Sequence, residues 1–122
     1  MKFHLQTPAG HNLFTGHGAG FVMVNGVRHA ASILVAPERI DTWSATGFDS
    51  LNAQHFEQLL ALSPAIVLLG TGASLRFPRP ALSSCLQTAG IGVEVMDNAA
   101  ACRTYNILTA EGRNVVAAIL LG

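Results

Sequence analysis

The chain has 122 residues, half of them hydrophobic and only 11% charged, which is enough for one domain with a buried core and too little for two. Seven basic against seven acidic residues leave no net charge, so no long-range field exists to hold a polyanion, and a nucleic-acid partner is not expected. The longest apolar runs, such as Ala65–Leu69 and Val115–Leu121, fall far short of the roughly 20 residues that span a bilayer; membrane insertion is not expected either.

Residues 1–20 are rich in glycine, histidine and threonine, with scattered apolar anchors at Phe3, Leu5, Leu13 and Phe14. They read as an irregular N-terminal arm. The same polar residues interrupt any signal-peptide core, so a cytoplasmic location is expected. The two cysteines, Cys85 and Cys102, lie 17 positions apart and form no CxxC, which reads as two reduced thiols. "FVMVNGVRHAASILVAP" then places β-rich runs on either side of Asn25-Gly26. An Asn-Gly pair supplies the positive φ that both central positions of a tight turn require, so a β-hairpin is expected. A third extended piece, Ile40–Ala45, follows Pro37 and carries Trp43 as its core anchor.

From residue 50 the pattern changes. "NAQHFEQLLAL" sets Phe56, Leu59, Leu60 and Leu62 near one face of a helix that Asn52 can cap, with His55 facing solvent. "AIVLLG" is apolar without alternation and reads as a central strand covered on both faces. In "PALSSCLQTAG" Pro80 suits a first helical turn and Gly90 the position just past the end. "GVEVM" is the next strand, "DNAAACRTYNILTAEG" a helix capped by Asp97 and stopped near Gly112, and "VVAAILL" the last strand. This order predicts an α/β fold: a single compact domain over residues 21–122, with a mixed, partly parallel β-sheet to which the N-terminal β-hairpin adds antiparallel strands, and flanking helices.

Three features carry candidate chemistry. Gly70-Thr71-Gly72 follows a predicted strand, where open α/β sheets place ligands. Leu75 occupies the third glycine position of the dinucleotide fingerprint and no lysine of a P-loop follows, so the loop reads first as a strand-ending turn. Arg76 and Arg79 behind it read as a solvated loop. Arg103, in the second turn of the Asp97 helix, reads first as a structural partner of Asp97, Glu94 or Glu111, in which case Arg103→Lys costs about 1–3 kcal/mol. Its competing reading is a fork for a carboxylate or phosphate. Cys102 beside Ala101 and Tyr105 reads as a buried, inert thiol. His4, His11, His17 and His29 match no zinc spacing, and no metal or cofactor is expected. The scarcity of charge points to an apolar patch used by a protein partner or by self-association.

"LLGTG", the run "GIGVEVMDNAAACRTYNILTAEGR" and the early "FVMVNGVRHAASILV" hairpin together resemble a family of uncharacterised bacterial and archaeal domains, the Mth938-like family, whose animal relatives include a mitochondrial respiratory complex I assembly factor. The resemblance implies the α/β fold just described and no established catalytic activity or cofactor. It marks Gly70, Thr71, Gly72, Asp97, Ala101, Cys102, Arg103, Thr104, Tyr105 and Asn106 as motif positions, none with an assigned role. This sequence departs from the family pattern at Asn98, where threonine is frequent, and at His17, where an aromatic is usual. Two functional readings follow: a non-catalytic protein-interaction or assembly-type module, and a protein or enzyme that binds a small anion or metabolite near Gly70–Gly72 and Arg103.

Overall fold

The computed structural model describes residues 10–121. Eight strands and three helices run in the order β1 (Phe14–Gly18), β2 (Phe21–Val24), β3 (Val27–His29), β4 (Ile33–Ala36), β5 (Arg39–Thr42), α1 (Ala53–Leu60), β6 (Ile66–Gly70), α2 (Ser84–Thr88), β7 (Gly92–Met96), α3 (Asn98–Ala110) and β8 (Val115–Ile119). They form two sheets, β1-β2-β3 and β5-β4-β8-β6-β7. The larger sheet is mixed: β6 runs parallel to β7 and β8, whereas β4 runs antiparallel to β8 and β5.

The larger sheet separates two cores. Alternate residues of its central strands feed opposite sides, as β8 shows: Val115, Ala117 and Ile119 pack with α3 and the small sheet, while Val116, Ala118 and Leu120 pack with α1, α2 and Trp43. Both faces of β6 and β8 are therefore dry, which explains why their sequences are apolar without alternation. Trp43 is 2% exposed, as expected of an anchor, and its indole N–H donates to the His55 carbonyl.

The hairpin forms at Asn25-Gly26, with φ of 53° and 81° and β2 paired antiparallel to β3. Two expectations are corrected. The hairpin belongs to a separate sheet instead of extending the main one: the single run "FVMVNGVRHAASILVAP" is cut at Ala30–Ser32, and only Ile33–Ala36 enters the large sheet. β2 buries Val22 and Val24 on one face only, whereas Ile33, Leu34 and Val35 of β4 are all buried, so the two halves of that run suit different layers. The expected irregular arm also ends early, because Phe14–Gly18 is a strand paired with β2. "FTGHG" carries one apolar residue and no alternation, so its strand character comes from backbone pairing and not from its side chains. Residues 1–9 of that arm lie outside the described residues.

Helix punctuation follows the sequence. Asn52 caps α1 by accepting from the Gln54 and His55 amides, and Asp97 caps α3 by accepting from Ala100 N–H at 2.8 Å. His55 is half-buried instead of solvent-facing. Its Nδ1 accepts from the Asn52 N–H at 3.1 Å and closes a reciprocal capping box, a role that Glu or Gln usually fills.

Candidate functional site

The parallel strands β6, β7 and β8 end together, which brings Gly70, Met96 and Ile119 side by side. Beyond them the chain continues as Gly70-Thr71-Gly72, Asp97-Asn98 and Leu120. Asn98 binds the three ends together: its Oδ1 accepts from Gly72 N–H at 3.0 Å, its Nδ2 donates to the Leu120 carbonyl at 3.0 Å, and its own N–H donates to the Gly72 carbonyl at 2.9 Å. Gly70 is required here by close approach. A Cβ at this position would collide with Asn98 Oδ1 and lie 2.9 Å from Ile119 Cδ1 and 3.3 Å from Ala101 Cβ. Ala101, fully buried, completes the fit between the first turn of α3 and the sheet.

Thr71 faces inward and fixes the following loop. Its buried hydroxyl donates to the Ser74 carbonyl at 2.8 Å and accepts from Arg76 N–H at 3.1 Å. Residues 73–79 are irregular, but they are tied at their base. Arg76 lies 4.2 Å over the Phe48 ring and 3.7 Å from the Asp49 carboxylate. On this support Phe77 is 70% exposed and Leu75 49% exposed.

A cavity of about 530 Å³ opens between Gly72-Ala73, the start of α3 at Asp97–Ala99 and the β1–β2 turn. The GTG loop and the Asp97 helix therefore meet in one concavity. Arg103 does not join them. It is exposed, pairs with none of Asp97, Glu94 or Glu111, and makes no ion pair among the described residues, so its expected structural role is corrected. Helix geometry gives the reason: Ala101 and Tyr105 face the sheet, and position 103 lies roughly 200° around the helix from each. Without Arg103, the charged side chain at the mouth of α3 is Asp97, whose full negative charge outweighs the roughly half positive charge of the helix terminus.

The remaining motif residues hold the fold. Cys102 is 3% exposed, and burial pushes its thiol up to about 12, with Arg103 opposing weakly. Tyr105 is buried, its ring packs edge-on to Phe14 at 5.2 Å, and its hydroxyl donates to the Asn12 carbonyl at 3.0 Å. Burial pushes this phenol also up to about 12, opposed in part by the neighbouring Thr109 hydroxyl. Asn106 accepts from Phe14 N–H at 3.0 Å and donates to the Phe14 carbonyl at 2.8 Å, so one amide side chain imitates a neighbouring strand along the open edge of β1. Thr104 is half-buried, and no hydrogen bond of its side chain occurs among the described residues. Asn98 carries more of the junction than its place in the sequence suggested. Its signal was the position just after a cap, with an amide able to donate and accept at once.

An α/β domain of two sheets and three helices, with three parallel strand ends tied by one asparagine, is the class of protein that this geometry defines. The model of a family described as "Protein of unknown function (DUF498/DUF598)" matches residues 14–120, and the chain belongs to that family, whose domain is Mth938-like. A solved solution structure of a Mth938-like domain from Bordetella pertussis is 33% identical, with a TM-score of 0.84 over 99% of this chain and 92% of that one. Among relatives, an uncharacterized protein of Rhodobacter capsulatus is 37% identical over 86% of this chain and 81% of its own length. NADH dehydrogenase [ubiquinone] 1 alpha subcomplex assembly factor 3 of Xenopus tropicalis is 32% identical over 83% of this chain. The match spans 56% of that factor, just over half its length.

Proposed function

We propose that the protein is a non-catalytic interaction module of the assembly-factor type, and that its contact surface is the loop Ala73–Arg79. The observation that carries this reading is the display of Phe77 and Leu75 on a loop whose base is pinned by Thr71. Exposed aromatic and arginine residues held in place before binding are what energetic centres of interfaces are made of, since little ordering entropy is then lost. The relationship to an assembly factor supports the same class of role. So does the state of the most reactive-looking motif residue, because the Cys102 thiol is buried and held protonated.

Charge selects the occupant. Arg76 and Arg79 stand on this loop against the single carboxylate of Asp49, so the complementary partner offers acidic side chains next to an apolar contact. A second copy of the chain would bring the same guanidinium groups together across a two-fold contact, which disfavours self-association through this face. The test is affinity capture from the native cell with the intact chain and with Phe77→Ser, followed by direct titration of the captured protein in purified form. The expected result is a partner bound by the wild type and weakened at least about tenfold by the substitution, with an unchanged melting temperature. Equal binding of both proteins to the partner would overturn the assignment of this surface.

A further inference from the structure

Asn25-Gly26 turns the β2–β3 hairpin, and the same pair carries a chemistry of its own. An asparagine followed by glycine is prone to deamidate, because glycine puts no side chain in the way of its own amide nitrogen. The Gly26 nitrogen attacks the Asn25 Cγ: a new C–N bond forms, the Cγ–Nδ2 bond breaks, and the displaced amide takes up the proton that the Gly26 nitrogen gives up and leaves as ammonia. The product is a succinimide. Water then opens this ring at either carbonyl, to aspartate or to isoaspartate, in which the main chain runs through the side chain.

In the native hairpin both reacting groups are held by one neighbouring segment. Gly26 N–H donates to Thr15 Oγ1 at 2.9 Å. The Asn25 carboxamide is tied at both ends: its Oδ1 accepts from the Leu13 N–H at 3.0 Å, and its Nδ2 donates to Asn12 Oδ1 at 2.8 Å. The Asn25 N–H donates to the Leu13 carbonyl at 2.9 Å. Attack requires the carboxamide carbon to swing onto the Gly26 nitrogen, which breaks the side-chain bonds together. Every one of these partners lies on residues 12–15, the start of β1 and its approach. That segment is gripped in turn by α3, through Asn106 on the Phe14 backbone and the Tyr105 hydroxyl on the Asn12 carbonyl. The bonds around the turn are exposed, so water reaches it and only this segment has to lift.

We propose that Asn25 is a self-modification site gated by β1: it stays intact while residues 12–15 are docked and deamidates when they leave the hairpin. Loss of ammonia makes the step irreversible, so the chain keeps a record of the opening. The product does not restore the lock. Aspartate at position 25 has no donor for Asn12 Oδ1 and sets two acceptors face to face. Asn12 cannot answer by turning its amide, because its Nδ2 is committed to the Ala36 carbonyl at 2.9 Å. Isoaspartate adds a backbone carbon to a two-residue turn and disturbs the register of β2 with β3. The site stands apart from the proposed protein-contact loop and does not depend on it.

The experiment is a timed incubation of the intact chain in mildly alkaline buffer, native and in urea, with deamidation at each asparagine read by peptide mass spectrometry. Asn25 is expected to react at least about tenfold more slowly in the native protein than in urea, as for any group protected by a local opening. Thr15→Val removes the acceptor of the Gly26 N–H and should quicken the native reaction about fivefold, the scale of one hydrogen bond; Thr15→Ser should keep the wild-type rate. Asn106→Ala, which frees β1, should also quicken it, whereas Gly70→Ala, which strains the large sheet, should not. That contrast separates the opening of β1 from a general loss of stability. Equal rates in the native protein and in urea, unchanged rates in Thr15→Val and Asn106→Ala, or equal acceleration by Gly70→Ala and Asn106→Ala would each overturn the proposal.

Discussion

The Cys102 thiol and the Tyr105 phenol share one circumstance: both are acids withdrawn from water beneath α3. Their folded-state values, each pushed up to about 12 from ordinary values near 9 and 10, lie above those of the unfolded chain. In the unfolded chain each group gives up its proton first, so the folded state binds more protons and stability falls as pH rises. The loss begins near pH 9 with Cys102, is joined near pH 10 by Tyr105 and is complete by about pH 12. Urea midpoints measured across this range are expected to decline less steeply for Cys102→Ala than for the wild type; parallel declines would contradict the burial of the thiol. Arg103 stands in the opposite circumstance. Exposed and without an ion pair among the described residues, it should tolerate Arg103→Lys within about 0.5 kcal/mol, the usual range for surface substitutions. A loss of stability above about 1 kcal/mol in denaturant unfolding would show a contact that the geometry lacks.

At the scale of elements, α3 is the clamp of the molecule, and the motif run Tyr105-Asn106 is how it grips β1. Asn106→Ala removes both bonds to the Phe14 backbone. It should cost about 1–3 kcal/mol, with amide exchange at Phe14 accelerated well before that of β8; unchanged protection at Phe14 would refute the strand-mimicking role. Gly70→Ala sets a methyl group against Asn98, Ile119 and Ala101 and should cost about 1–3 kcal/mol by overpacking. A variant that unfolds at the wild-type denaturant concentration would show that this junction yields easily. The elements themselves were largely legible because their signals are local: Asn25-Gly26 for the hairpin, Asn52 and Asp97 for caps, and unalternating apolar runs for the two-faced strands. What hid β1 and the role of Asn106 was distance. Phe14 and Asn106 are 92 positions apart, and nothing in "FTGHG" signals that a side chain on the last helix will complete its edge.

For the molecule as a whole, the alternation of β8 between two cores explains how a 122-residue chain with 11% charge stays compact. The same scarcity of charge drew attention to exposed apolar groups. It could not place them, because exposure is decided by where a loop lies after folding. Val27, Ile40 and Ile107 stand singly on separate elements, whereas Leu75 and Phe77 share one loop. The run around Cys102 looked like chemistry in the sequence because thiol, guanidinium, hydroxyl and phenol stand in consecutive positions. On a helix those positions point in different directions, and only Cys102 and Tyr105 turn fully inward. The motif run thus fastens the fold, and the loop Ala73–Arg79 is the surface proposed for the contact. A photo-crosslinking amino acid installed at position 77, with position 107, also apolar and exposed, as the control, tests the proposed contact most directly in the native cell. The account predicts a discrete protein adduct from position 77 that is absent from position 107. Adducts from 107 alone, or none from 77, would contradict it.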